Sequence, residues 1–255
     1  MKQRQLTWLS GAEWARIEPL LPRGRKGAHR VDDRRVISGI VHMLKCGARW
    51  RDCPPEYGPY TTVYNRFNRW SRQGIWLDLF EALTGHNGIW GTVAMDATHI
   101  KAHRSAAGAK GGPFAQAIGV SRGGRTSKLH GLTDAQGRPR LLMLSAGNIN
   151  DMNMAGALIE RAAGRFDRLI ADRGYDTNAI RAAIAANGAI VVIPSTTNRR
   201  APIPYDRELY KARNLVERLW CRLKDWRRIA TRYDKLARNF LAAALIAATL
   251  TYWCN

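Results

Sequence analysis

At 255 residues the chain suits one large domain, or a small domain leading a larger one. Its 45% hydrophobic and 24% charged residues supply apolar mass for a real core and exclude an intrinsically disordered chain. Lys plus Arg total 41 against 20 for Asp plus Glu, a formal +21. Such an excess repels itself in a compact fold unless something anionic sits nearby, and nucleic acid is the usual partner.

Cys46, Cys53, Cys221 and Cys254 lie far apart with no C-x-x-C pair, which supports neither a zinc ribbon nor a disulfide framework and fits a reducing cytoplasm. The leading MKQRQLTWLSGAEW has no apolar core of a secretory signal. The most apolar stretch, FLAAALIAATLTYW from Phe240 to Trp253, is too short and too rich in Ala and Thr for a bilayer span. It reads as a buried core helix, so no membrane partner is expected.

Residues 1–88 carry helical periodicity. Ser10 and Glu13 form a capping box ahead of Trp14, Ile17 and Leu20/Leu21, and Pro22 stops that helix. RGRKGAHR (23–30) is a basic connector. A second helix opens at Asp32 and Asp33, presents Val36, Ile40 and Leu44 on one face, and ends at Gly47. GPYTTVYNRFNRWSRQG predicts a third, with Val63, Phe67 and Trp70 inward and Thr61, Thr62, Asn65, Arg66 and Arg69 elsewhere. Helix, loop, then a helix faced with Thr, Asn and Arg is what a helix-turn-helix reader of the major groove requires; a plain solvated face is the alternative.

Residues 89–255 change character. TVAMDAT predicts a short strand centred on Asp96, and the Gly-, Ala- and Arg-rich 104–127 a basic insertion loop ordered on binding. SKLHGLTD and RPRLLMLS form a hairpin whose turn holds Asp134. A helix near 153–164, the strand DRLIAD, a helix near 177–187 and the strand AIVVIP come next, and two long helices near 206–225 and 235–252 close the chain. Asp151 and Asp176 look like helix N-caps, and Asp206 caps the first long helix. The fold class is therefore α/β: a ribonuclease H-like mixed sheet flanked by helices, preceded by a small helical, helix-turn-helix-like DNA-binding domain.

Cutting a phosphodiester without a covalent intermediate calls for hard oxygen ligands that hold one or two divalent cations beside the phosphate. Asp96 lies in mid-strand, and Asp172 at a strand's carboxyl end, where ligand sites of open α/β sheets form. On the helix from Asp206, at about 100° per residue, Tyr210, Arg213, Glu217 and Lys224 fall within a wedge of roughly 60°. That wedge edges an apolar arc of Leu209, Val216, Leu219, Trp220 and Leu223. His99 and His103 are four apart but lack the glutamate of H-E-x-x-H. His130, beside Lys128, approaches DNA or packs on the sheet.

Tyr210-x-x-Arg213-x-x-x-Glu217-x-x-x-x-x-x-Lys224 resembles the Y-(2)-R-(3)-E-(6)-K signature of DDE-class insertion-sequence transposases, in the group named after insertion sequence five. MDATHIKAH, ADRGYDT and GGRTSKLHGLTD resemble its other motifs, and WARIEPLLP with WRDCPPEYGPYTTVYNRFNRW its leading region. The resemblance implies a metal-binding catalytic triad of Asp96, Asp172 and Glu217 that takes Mg2+, with Mn2+ as substitute and two ions in the site. It further implies Tyr210, Arg213 and Lys224 on DNA phosphates near the cut. Lys128, His130, Thr62, Asn65, Arg66 and Arg69 are the other expected DNA contacts. Expected partners are double-stranded DNA (terminal inverted repeats and target) and a second copy of the chain in a dimer or larger assembly, acting at the nucleoid in a bacterial cytoplasm. A non-catalytic DNA-binding regulator, a nuclease that cuts without joining, and an RNA-binding protein are the rival readings.

Overall fold

A computed structural model describes residues 5–23, 32–85 and 87–254, so nearly all of the basic connector lies outside the described residues. The capping box forms as expected: Ser10 Oγ accepts from the Glu13 amide and Glu13 from the Ser10 amide, opening α1 (Gly11–Ile17). The helix then tightens into a 3-10 turn at Glu18–Leu20, because Pro19 has no N–H to continue the ladder. Leu20 consequently turns outward while Leu21 is buried, so the two do not share a core face.

Asp32 caps α2 (Asp33–Cys46), which buries Val36, Ile40 and Leu44 and ends at Gly47 with φ 69°, the left-handed position that glycine adopts freely. α3 (Tyr60–Arg72) buries Val63, Phe67 and Trp70. α4 (Ile75–Thr84) completes the helical region. The helical region shares a core with the carboxyl-terminal helices: Ile40, Phe67 and Phe80 belong to the same apolar cluster as Leu219, Leu223 and the alanine-rich face of the last helix.

The second part opens with β1 (Gly91–Ala102), longer than the seven-residue strand expected. Residues 104–127 are not one loop. They hold a 3-10 turn (Arg104–Ala106), the short α5 (Gly112–Ala115) and β2 (Gly119–Ser121), which pairs with the start of β3 (Gly124–Thr133). The order is gained from tertiary partners, above all Arg232, which composition does not reveal. The hairpin partner β4 (Pro139–Ala146) is followed by α6 (Asp151–Arg161), β5 (Phe166–Ile170), α7 (Asn178–Ala186) and β6 (Ile190–Val192). The closing segment is α8 (Arg207–Tyr210), a 3-10 turn at Lys211–Arg213, α9 (Asn214–Lys224), α10 (Arg227–Ala230), β7 (Thr231–Arg232) and α11 (Ala237–Tyr252).

Among the described residues seven strands form one mixed sheet. β3 lies between β4 and β1, antiparallel to both, and β5 and β6 continue parallel beyond β1. Leaving aside the short β2 and β7, the spatial order β4-β3-β1-β5-β6 is that of a ribonuclease H-like sheet. α6 and α7 cover one face through Leu158, Ile159 and Ile184; α9 and α11 cover the other through Val216, Leu219 and Phe240. α11 is buried over most of its length, and among the described residues no helix is long and apolar enough to cross a membrane.

Two expected caps are corrected. Asn150, not Asp151, caps α6, and Thr177, not Asp176, caps α7. Asp151 instead pairs with Lys128 at 2.9 Å. Asp176 is a buried acceptor for Arg181, Arg199 and the Thr196 amide at 2.6, 2.8 and 2.7 Å. Burial alone would raise its pKa, but these donors hold it well below the usual carboxylate range.

Candidate active site

The period of two along a strand decides which acids can meet. In β1, Val93 and Met95 point into the core under α6 and α7, so Ala94, Asp96, Thr98 and Ile100 face α9. In β5 and just beyond, Leu169 and Ala171 join the first face, which puts Ile170 and Asp172 on the second. The parallel register sets Ala94 opposite Ile170. Two residues on, Asp96 on β1 and Asp172 just past the end of β5 therefore leave on the same face.

The α9 helix lies over that face because its apolar arc is buried there: Val216, Leu219, Trp220 and Leu223. Its polar edge then overhangs the two aspartates. Arg213 donates from Nη1 to Glu217 Oε1 at 2.7 Å, and its Nη2 lies 3.7 Å from Asp172 Oδ2. Lys224 Nζ donates to Thr98 Oγ1 at 2.7 Å, tying the far end of the helix to β1. Tyr210 packs edge-on against Tyr205, with ring centroids 5.5 Å apart.

Trp220 is the contact that periodicity does not announce. Read as an apolar anchor, it also donates from Nε1 to Asp96 Oδ2 at 3.0 Å. Its ring reaches the sheet because position 131, opposite Asp96 on β3, is a glycine. A Cβ there would sit 3.0 Å from the Trp220 ring and 3.0 Å from Leu142. Gly131→Ala is thus expected to cost about 1–3 kcal/mol by overpacking and to displace the Asp96 partner. Denaturant unfolding and a near-ultraviolet tryptophan signal check this; native values for both would refute the close fit.

Asp96 is the electrostatic centre of the site. Burial raises its pKa, the Ala97 amide and Trp220 oppose that, Arg213 also lowers it, and the neighbouring Asp172 adds to the rise. Arg213 is itself part-buried; burial works against its charge, but Asp96, Tyr210 and Glu217 more than restore it. Tyr175, three residues beyond Asp172, has a buried hydroxyl without a hydrogen-bond partner, and its pKa is raised by burial and then by Asp151, Asp96 and Asp172.

Among the described residues no group of three or more His, Cys, Asp or Glu stands close enough to hold a metal ion. The donor set nonetheless fits one. Two carboxylates share one face, and the charge of Asp172 adds to the burial that raises the proton affinity of the half-buried Asp96, so the pair calls for a cation between them. They offer only hard oxygens, as Mg2+ prefers. Glu217, whose side chain is 52% exposed, is linked to the pair through Arg213, which pairs with it and approaches Asp172.

The other expected DNA contacts divide. Thr61, Asn65 and Arg69 occupy the outer face of α3, and Thr62 is half-buried beside them. Arg66 is a correction: it is buried, ion-paired to Asp33 and stacked 4.8 Å over the Trp70 ring. Lys128 and His130 are corrected likewise. Both point under α6, where Lys128 donates to the Ile149 carbonyl at 2.8 Å and His130 Nε2 lies 2.7 Å from Ser145 Oγ. His130 has no exposed surface, and burial pushes its pKa down to about 4. Both residues lock the sheet to α6 and have no face to offer a phosphate.

Comparison with known proteins bears on this arrangement. Residues 9–80 match a family described as "Putative transposase of IS4/5 family", and residues 91–252 match "Transposase DDE domain". The protein y4sN of Sinorhizobium fredii is 34% identical over 117 residues, covering 44% of this chain and 93% of the relative. The "Putative transposase for insertion sequence element IS6501" of Brucella ovis is 32% identical over 128 residues, covering 50% and 98%. Two solved structures overlay loosely at 12% identity. One is the piggyBac transposase synaptic complex with hairpin DNA (TM-score 0.39, 75% of this chain and 48% of that one). The other is the pre-cleavage Mos1 transpososome (TM-score 0.29, 89% and 82%). The sequence matches, which together span most of the chain, carry the assignment: this protein belongs to the DDE transposase family of insertion-sequence elements.

Proposed function

We propose that this transposase cuts DNA at the terminal inverted repeats of its element and joins the freed ends to target DNA, using Asp96, Asp172 and Glu217. The observation that supports this reading is the shared face: Asp96 on β1 and Asp172 just past β5 lie beneath a closing segment whose Arg213 approaches Asp172 and Glu217 and whose Lys224 reaches Thr98. Mg2+ or Mn2+ held by the three carboxylates would supply Lewis acidity for both the attacking and the leaving oxygen.

The chain's own residues orient and compensate charge. Trp220 fixes the rotamer of Asp96, and Arg213 draws Asp172 and Glu217 toward one point. Arg213, Tyr210 and Lys224 are then placed to receive the phosphates flanking the cut. In the first step water attacks phosphorus at the element end, and the 3′ oxygen leaves with a proton. In the second, that 3′-hydroxyl attacks a target phosphodiester, losing its proton as the target's own 3′ oxygen departs. The outer face of α3 and the basic surface hold the repeats, with salt-sensitive affinity. Joining two ends requires a dimer or larger assembly on DNA.

The test is purified protein on a supercoiled plasmid carrying the element's own ends, with Mg2+, with Mn2+ and with chelator. Cleavage at the ends and joined products, both lost with chelator, are expected. End binding without metal-dependent cutting would indicate a regulator, and cutting without joining a nuclease.

A further inference from the structure

A cavity of about 450 Å3 opens away from the acidic site, between the helical region, the 104–123 insertion and the closing segment. Its size falls in the range of roughly 300–1,000 Å3 usual for small organic ligands. Its walls are aromatic: Trp50, Tyr60, Tyr64 and Tyr233. Trp50 is already covered, by Arg228 4.9 Å over its ring and by Phe67 stacked at 5.1 Å. Tyr60 and Tyr233 are 45% and 37% exposed, and although Tyr233 has the His103 ring on one side, each keeps exposed surface for a planar partner.

Two features say what that partner is. Lys110 and Lys235, both exposed, line the cavity, while its acidic residue Asp234 is buried and neutralised by Arg228 at 3.2 Å. The opening is therefore cationic and selects an anion. In addition, Asn239 (3% exposed) donates from Nδ2 to Asn68 but leaves its Oδ1 without a donor, and the buried Nε1–H of Trp50 has no acceptor. Two lining residues thus hold an unused acceptor and an unused donor, the two kinds of group that a nucleobase edge can pair with. An apolar side chain would satisfy neither atom and bring no charge for the lysines.

The location agrees. Beyond Asp96, β1 continues as far as Ala102, and the ring of the next residue, His103, packs 4.9 Å from Tyr233. At about 3.3 Å per residue the cavity mouth lies roughly 20 Å from Asp96, a span that about six nucleotides of a duplex strand cover at 3.4 Å each. We propose that the cavity binds one unstacked DNA base against Tyr60 and Tyr233, with its flanking phosphates on Lys110 and Lys235. This rests on the DNA-transposing reading and adds to it a subsite, about six nucleotides from the cut, for a base pulled out of the duplex or in single-stranded DNA.

The test uses the full chain with short single-stranded oligonucleotides carrying an internal 2-aminopurine, and with the matching plain duplex. The native chain is expected to quench the probe. Tyr60→Ala and Tyr233→Ala should each weaken single-strand binding about tenfold, the scale of one base–aromatic stack, and reduce the quench. Tyr60→Phe and Tyr233→Phe should restore both, and duplex affinity should stay within about twofold. Melting curves confirm that these surface changes leave the fold intact. Unchanged single-strand affinity and quench in the double alanine variant, with duplex binding intact, would overturn the base pocket alone. Failure of the native chain to bind either form of DNA would overturn the pocket together with the DNA reading. Lost self-association with unaltered oligonucleotide binding would overturn it in favour of a second copy of the chain.

Discussion

Asp96→Asn is expected to bind element ends at least as tightly as the native chain while losing both cleavage and joining by about 10^3-fold or more, beyond the loss typical of a single stabilising donor. Binding survives because the change removes a negative charge from a surface that faces phosphates. Structure survives because the Asn amide oxygen still accepts from Trp220 Nε1. The same substitution carries a stability signature of definite sign. The Asp96 carboxyl has its pKa raised by burial, then by Asp172, so without a cation ionisation destabilises the folded state. The native chain's relative stability is thus greatest below the ordinary carboxylate pKa and falls as pH rises through the raised one. Near neutral pH in chelator Asp96→Asn should be the more stable protein, and in acid the two should converge. Divalent ions should then raise the native melting temperature and leave the variant's nearly unmoved. A variant that still cuts the ends, or that gains the full metal shift, would remove Asp96 from the site.

How much of this was legible in the sequence depends on how far each residue's partners lie along the chain. The succession of strands and helices was legible, because the periods in TVAMDAT and RLIAD are local properties; that Asp96 and Asp172 share one face depends on the parallel pairing of β1 with β5, which joins distant segments. The inward face of α9 was legible as another local period, repeating over three turns. The Trp220–Asp96 bond was not, since it joins residues 124 apart in sequence and depends on Gly131 across the sheet. Lys128 and His130 misled because T-S-K-L-H-G-L alternates like a half-exposed strand. β3 is interior, and α6 covers the polar face with Asp151 and Ser145 supplying partners. Arg66 misled similarly: its charge suggests solvent, but Asp33 on the neighbouring helix neutralises it in the core. A buried charge is legible only once its counter-charge has been placed.

Arg232 is where that rule has its largest consequence. It is fully buried on the two-residue β7, and its five N–H groups are all used. Nε donates to the Asp234 carbonyl at 2.9 Å, Nη1 to Ala117 at 3.1 Å and Ser127 Oγ at 2.7 Å, and Nη2 to Gln116 at 2.7 Å and Lys235 at 3.3 Å. Burial lowers its pKa to about 10, still charged near neutrality. Exchanging a buried ion pair for apolar residues is often neutral because both partners go. Here four of the partners are backbone carbonyls that no substitution removes. Arg232→Met should take this donor from all four, leaving Ala117 only the Ser127 hydroxyl, and cost about 3–5 kcal/mol. The loss should concentrate in the insertion, because Ala117 sits at φ 55°, a left-handed position costing a residue with a Cβ about 1–2 kcal/mol. Its carbonyl is held there by Arg232 and by the Ser127 hydroxyl at 2.5 Å. Arg232→Lys should recover less than half, since a point charge cannot fork to both sides. Denaturant midpoints, with hydrogen exchange over residues 113–121, provide the check. Native stability with undiminished protection in Arg232→Met would mean that the insertion is ordered by its own strand pairing with β3, and that the arginine merely fills space.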